Sequence, residues 1–122
     1  MRPSAFRRLV SDVLEELPQE FLEKMENLEI VVEGLPTPEQ EALSGGEPAD
    51  GLLLGLYEGT PLPERGGAFG GALPDKITIF QDNIEAVCET EEEMAEEIRK
   101  TVLHEIAHHF GMGEERLEEL DY

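Results

Sequence analysis

Phe6, Leu9, Val10, Val13, Leu14 and Leu17 recur at three- and four-residue intervals, which predicts an amphipathic first helix capped at Ser4. Pro18 interrupts the run. Phe21, Leu22 and Met25 then resume an apolar stripe, so a kinked or paired helix should end near Met25 or Glu26. From Leu28 the period changes to two: Leu28, Ile30 and Val32 alternate with Glu29, Val31 and Glu33, the pattern of a half-buried strand. Residues 34–51 are rich in Pro, Gly and Glu, but Thr37-Pro38-Glu39-Gln40 has the form of a capping box with proline at the first helical position. A short helix within a long loop is expected there. Residues 52–57 are apolar and predict a second strand, in which Gly55 marks either a weak point or a close backbone approach.

Residues 60–75 hold three prolines and four glycines and predict no regular structure; loops of this length often serve function. Ile77 and Ile79 alternate with Thr78 in a third strand over 76–80. Asp82 or Asn83 should cap a helical turn through Val87. Thr90 and Glu93 form a second capping box, opening a helix over 91–110 whose apolar contacts are Met94, Ile98, Val102, Leu103, Ile106 and Phe110. Gly111 supplies its stop, and residues 114–120 suit a last short helix with Leu117 and Leu120 inward. There are no internal repeats. The elements mix without alternating as βαβ units, so the expected class is α+β.

A chain of 122 residues fits a single domain, 1–122, able to bury its own core. The net charge of -20, from 29 acidic and 9 basic residues, argues against nucleic acid as a partner, because phosphate binding needs clustered Lys and Arg. It is compatible with cationic peptides, although a solvated acidic surface accounts for it more simply. No apolar run approaches a membrane span of roughly 18 residues, and no apolar block follows Arg2, Arg7 and Arg8 as in a secretory signal. The expectation is a cytoplasmic protein with no membrane partner. Cys88 is the sole cysteine, which fits a reducing compartment and reads as a small, part-buried side chain.

Candidate chemistry concentrates at His104-Glu105-Ile106-Ala107-His108, an H-E-x-x-H sequence near the end of the longest helix. On a helix the two histidines lie about 40° apart, with Glu105 about 100° from His104 and about 60° from His108. Neutral imidazoles bind zinc well, and a carboxylate beside the ion can take a proton from water whose pKa the metal lowers to about 7. Two histidines on an otherwise apolar helix face are also costly to bury unpaired, and a metal would satisfy both. Two satisfied core histidines are the plainer alternative.

A tetrahedral catalytic site needs a third protein ligand and an open position. Gly111 lets the chain turn back, and Glu114, ten residues after His104, is the candidate third ligand, with Glu115 its rival. Either could instead be a carboxylate at a helix N-terminus. His109 lies about 140° from His104 on the wheel, too far round for the same ion. Tyr57 and Arg65 are candidate donors to an oxyanion. No serine or cysteine triad, phosphate loop or zinc ribbon is present.

Residues 6–18 (FRRLVSDVLEELP), 53–61 (LLGLYEGTP), 73–80 (LPDKITIF) and 104–120 (HEIAHHFGMGEERLEEL) together resemble a family of small bacterial zincin-like proteins, minimal metallopeptidases with an H-E-x-x-H-x-x-G-x-x-[DE] site. The resemblance implies a minimal zincin fold, a small mixed β-sheet packed with an active-site helix and N-terminal helices. It also implies His104 and His108 as zinc ligands, Glu105 as general base and the carboxylate at 114 as third ligand. The family commonly has Asp at that last position, where this chain has Glu114. No methionine-containing turn follows it.

The leading expectation is therefore a zinc-dependent peptidase or amidase acting on a peptide or protein, the substrate lying as an added strand along the edge at 52–57. Other divalent ions would also suit the ligand set. A metal-stabilised binding or regulatory protein is the alternative. A zinc endoribonuclease of the rRNA-maturation kind ranks below both, since that family uses three histidines without a glutamate after the first and its substrate suits a charge of -20 poorly.

Overall fold

The computed structural model describes residues 1–25, 28–43, 52–59 and 75–109, with only the backbone described at positions 108 and 109. Five helices and three strands lie among the described residues: α1 (Pro3–Glu15), α2 (Gln19–Lys24), β1 (Leu28–Glu33), α3 (Pro38–Leu43), β2 (Gly55–Glu58), β3 (Asp75–Phe80), α4 (Gln81–Val87) and α5 (Glu91–His109). The strands form one sheet in the order β1-β3-β2. β3 runs parallel to β1 and antiparallel to β2, so the sheet is mixed. The α+β class follows the mixed pattern of periods in the sequence.

The register sets Ile77 beside Ile30 and Tyr57, and Ile79 beside Val32 and Gly55. That face meets the helices. Phe6, Val10 and Val13 of α1, Phe21 of α2, and Ile98, Val102, Leu103, Ile106 and Ala107 of α5 close over Ile77 and Ile79 in one core. Each of the Phe, Ile, Leu and Val side chains contributes about 1.5–3 kcal/mol on leaving water. Alternation sends Leu56, Thr78 and Phe80 to the opposite face, where Gln40 of α3 reaches the sheet.

Several ends differ from the pattern reading. α1 begins at Pro3 with Arg2 in the cap position and no side-chain cap, so Ser4 lies inside the first turn. Proline at the start fixes φ and lacks the N–H a cap would satisfy. β2 starts at Gly55, and residues 52–54 precede it outside the strand. Their carbonyls are nevertheless used: Leu54 O accepts from Phe80 N at 3.0 Å and Leu53 O accepts from Asn83 Nδ2 at 2.8 Å. Asn83 thus serves this tie rather than a cap. α4 springs straight from β3, with Phe80 in the cap position, and Asp82 likewise falls within its first turn. Gly111, residues 114–120 and all but the last residue of 60–75 lie outside the described residues, and Asp75 opens β3.

Thr78 sits fully buried at the centre of the sheet, and its Oγ1 has no hydrogen-bond partner among the described residues. A buried, unsatisfied hydroxyl costs about 1–3 kcal/mol. Thr78→Val replaces it with a methyl group of similar shape, and urea unfolding should show a gain of about 1 kcal/mol. A comparable loss would mean the hydroxyl has a partner.

Candidate functional site

α5 carries the candidate chemistry, and its start is fixed locally. Thr90 Oγ1 accepts from Glu93 N at 3.1 Å, while Glu93 Oε1 accepts from Thr90 N at 3.3 Å and from Glu89 N at 2.6 Å. This reciprocal box satisfies donors that the first turn leaves without helical partners. Three glutamates, Glu91, Glu92 and Glu93, sit in that turn, where the helix dipole favours negative charge. The helix then continues without a break through His109, so positions 104 and 108 are both helical and one turn apart.

Ile98, Val102, Leu103, Ile106 and Ala107 form the buried side of α5. His104 lies off this stripe and is exposed, with no hydrogen bond or ion pair among the described residues. The cost of burying an unpaired histidine therefore does not apply at this position. What the structure offers instead is an imidazole outside the core, accessible to an ion. Glu105, the next residue, is half-buried.

The face of α5 that carries these residues also meets β2. A Cβ placed on Gly55 would come within 2.4 Å of Thr101 Cγ2 and 3.2 Å of the Thr78 carbonyl oxygen, so glycine is what permits the helix to lie this close. Thr101 is about 40° from Glu105, about 60° from His104 and about 20° from position 108 on the wheel. The helix surface that presses on the edge strand is thus continuous with the candidate site. Gly55 was legible as a close approach, but its partner Thr101 was not, because only the fold brings them together.

Tyr57 stands two residues along β2 from Gly55, on the same side of the sheet. Its hydroxyl donates to Asp75 Oδ2 at 2.5 Å. The phenol is thus tied to the first residue of β3. Asp75, the first residue of β3, is a buried partner that the sequence pattern did not single out. Arg65, Glu114 and Glu115 lie outside the described residues, as does the side chain of His108. Among the described residues no group of three His, Cys, Asp or Glu gathers to hold an ion. The donors that can be placed, an exposed imidazole followed by a half-buried carboxylate, fit a zinc site in their chemistry.

Cys88 is half-buried, and burial, with the nearby carboxylates of Glu97 and Glu93, pushes its thiol above the ordinary value. Such a thiol is a poor nucleophile near neutral pH, in keeping with a packing role. No helix among the described residues is long and apolar enough to cross a membrane.

A small mixed sheet, an H-E-x-x-H helix lying against its edge strand, and helices closing the core define a minimal zincin-like fold. Residues 25–122 match the model of the zincin-like metallopeptidase family, and the chain belongs to that family. Among solved structures it is similar to a conserved hypothetical protein from Thermo thermophilus, at 26% identity and a TM-score of 0.54, over 88% of this chain and 92% of that one. No curated protein matches the chain.

Proposed function

We propose that the protein is a zinc-dependent metallopeptidase that hydrolyses peptide or amide bonds with Glu105 as general base. The observation that carries this reading is the run of α5 through both histidine positions, with His104 exposed and the same helix face laid on edge strand β2. His104 and His108 would hold the ion, with Glu114, or its neighbour Glu115, as third ligand. Zinc, when bound, supplies Lewis-acid polarisation of a carbonyl and acidifies water to a pKa of about 7.

The chain's own residues then have separate tasks. Glu105 accepts a proton from the attacking water on its carboxylate oxygen and returns it to the nitrogen of the departing amine. β2 presents backbone donors and acceptors to an extended substrate, since it pairs on one side with β3 and with no other strand among the described residues. Arg65 remains the candidate donor to the developing oxyanion. Tyr57, with its hydroxyl held by Asp75, fits better as a support for the strand than as that donor.

The test is release of new amino termini from a mixed peptide library by the zinc-loaded protein, set beside the same protein after chelation. Metal-dependent release supports the reading. If the folded, zinc-loaded protein releases nothing, the metal-stabilised binding protein becomes the better account.

A further inference from the structure

Glu58 ends β2 on the face of the sheet turned away from α5, since alternation pairs it with Leu56 and sets Gly55 and Tyr57 toward the helix. Gln40, the buried residue of α3, lies over it. The Gln40 amide nitrogen donates to Glu58 Oε1 at 3.3 Å and to Glu33 Oε1 at 3.4 Å, and its oxygen accepts from Thr37 N at 2.9 Å. One amide therefore holds the carboxylates of both glutamates, which are half-buried. Neither carboxylate forms an ion pair among the described residues. The register sets Lys76 opposite Glu58, yet Lys76 makes no ion pair with it.

Two carboxylates that share one neutral amide donor, with no ion pair among the described residues, can each gain from a cation brought to them. The cation's route is set by the edge. A strand added to the side of β2 that no other strand among the described residues occupies places its side chains alternately on the two faces, and the one opposite Glu58 comes about 4.5–5.5 Å away, Cβ to Cβ. On the other face, the same strand passes the α5 surface that bears His104 and Glu105. A net charge of -20 favours the approach of the same class of ligand.

We infer that Glu58, positioned with Glu33 by Gln40, selects extended peptides carrying a lysine or arginine at the position opposite it on the β2 edge. This rests on the edge-strand reading of substrate binding given above. It adds a specificity-determining residue and a substrate class, cationic peptide segments, to that reading.

The probes are three fluorescein-labelled ten-residue peptides, identical except for Lys, Gln or Glu at every second position. Each is measured for binding by anisotropy to the zinc-loaded Glu105→Gln protein, and for cleavage by the zinc-loaded native protein. The Lys peptide should be preferred. Glu58→Gln keeps an acceptor for Gln40 and should lower the Lys-over-Gln preference about fivefold, the size of one cross-strand charge pair. Glu58→Lys should turn the preference toward the Glu peptide. Glu92→Gln, an exposed change of the same charge in the first turn of α5, should leave the Lys preference unaltered.

Equal preference in native and Glu58→Lys proteins overturns the assignment, as does an equal fall in Glu92→Gln, which would assign the effect to overall charge. Glu58-dependent binding without cleavage would overturn the peptidase reading and leave this one standing. Cleavage that is indifferent to Glu58 would do the reverse.

Discussion

Glu105→Gln should lower peptide hydrolysis by about a thousandfold while leaving zinc content and fold unchanged. The substitution keeps the shape of the side chain but removes its negative charge and its ability to accept a proton, with one acceptor oxygen replaced by an amide donor. General-base assistance of this kind contributes typically about 10²–10⁴-fold, and in the proposed mechanism the same group also carries the proton to the leaving nitrogen. The loss should fall on kcat, with KM little altered, because the proposed role of Glu105 is toward the reacting water rather than the remote parts of the substrate. Hydrolysis equal to that of the native protein would remove Glu105 from the chemistry. A loss accompanied by loss of zinc would assign it to the metal's ligand set instead.

The second large effect lies at the contact between α5 and β2. Gly55→Ala introduces a Cβ that would stand 2.4 Å from Thr101 Cγ2 and 3.2 Å from the Thr78 carbonyl oxygen. Thr101 is β-branched, with few rotamers open to it in a helix, and the other obstacle is backbone, so rotation of Thr101 alone does not clear the space. The helix must move off the strand. Overpacking of this kind costs about 1–3 kcal/mol, and urea unfolding should show a loss near the upper end. The displacement is centred one turn before His104, so hydrolysis should also fall by at least about tenfold at temperatures where the variant stays folded. Thr101→Ala in the same chain removes the methyl that clashes and should recover part of both losses. If Gly55→Ala is as stable and active as the native protein, the close approach does not position the site.

What could be read in the sequence was what is decided within a few residues. Thr37 with Gln40 and Thr90 with Glu93 are reciprocal caps, and both close as their spacing implies. β1 and β3 followed from period-two alternation, β2 from its short apolar run, and the long helix from its three- and four-residue intervals. The start of β2 was not legible, because residues 52–54 are held by Asn83 and Phe80 from distant parts of the chain. Asp82 and Asn83 resemble caps in isolation, but Phe80 passes directly from strand to helix and leaves no room for one.

The candidate site divides in the same way. The spacing of His104, Glu105 and His108 is local and fixes their relation on α5. The wheel gives angles between residues without saying which sector meets the core; Ile98, Val102 and Ile106 take that sector, and His104 falls outside it. The partner of the Tyr57 hydroxyl depends on strand register, as does the position of Glu58 beside Gln40. A third ligand at Glu114 or Glu115 depends on the turn after the helix, which local spacing does not determine.

The central claim, a zinc ion held by the two histidines of α5, is tested most directly by zinc content measured by mass spectrometry, with X-ray absorption at the zinc edge on the same sample. The account predicts about one zinc per chain, a first coordination sphere containing two imidazole nitrogens, and loss of the ion in His104→Ala and in His108→Ala. Retention of a full equivalent of zinc by the double histidine variant, or failure of the native protein to hold zinc at all, would contradict it.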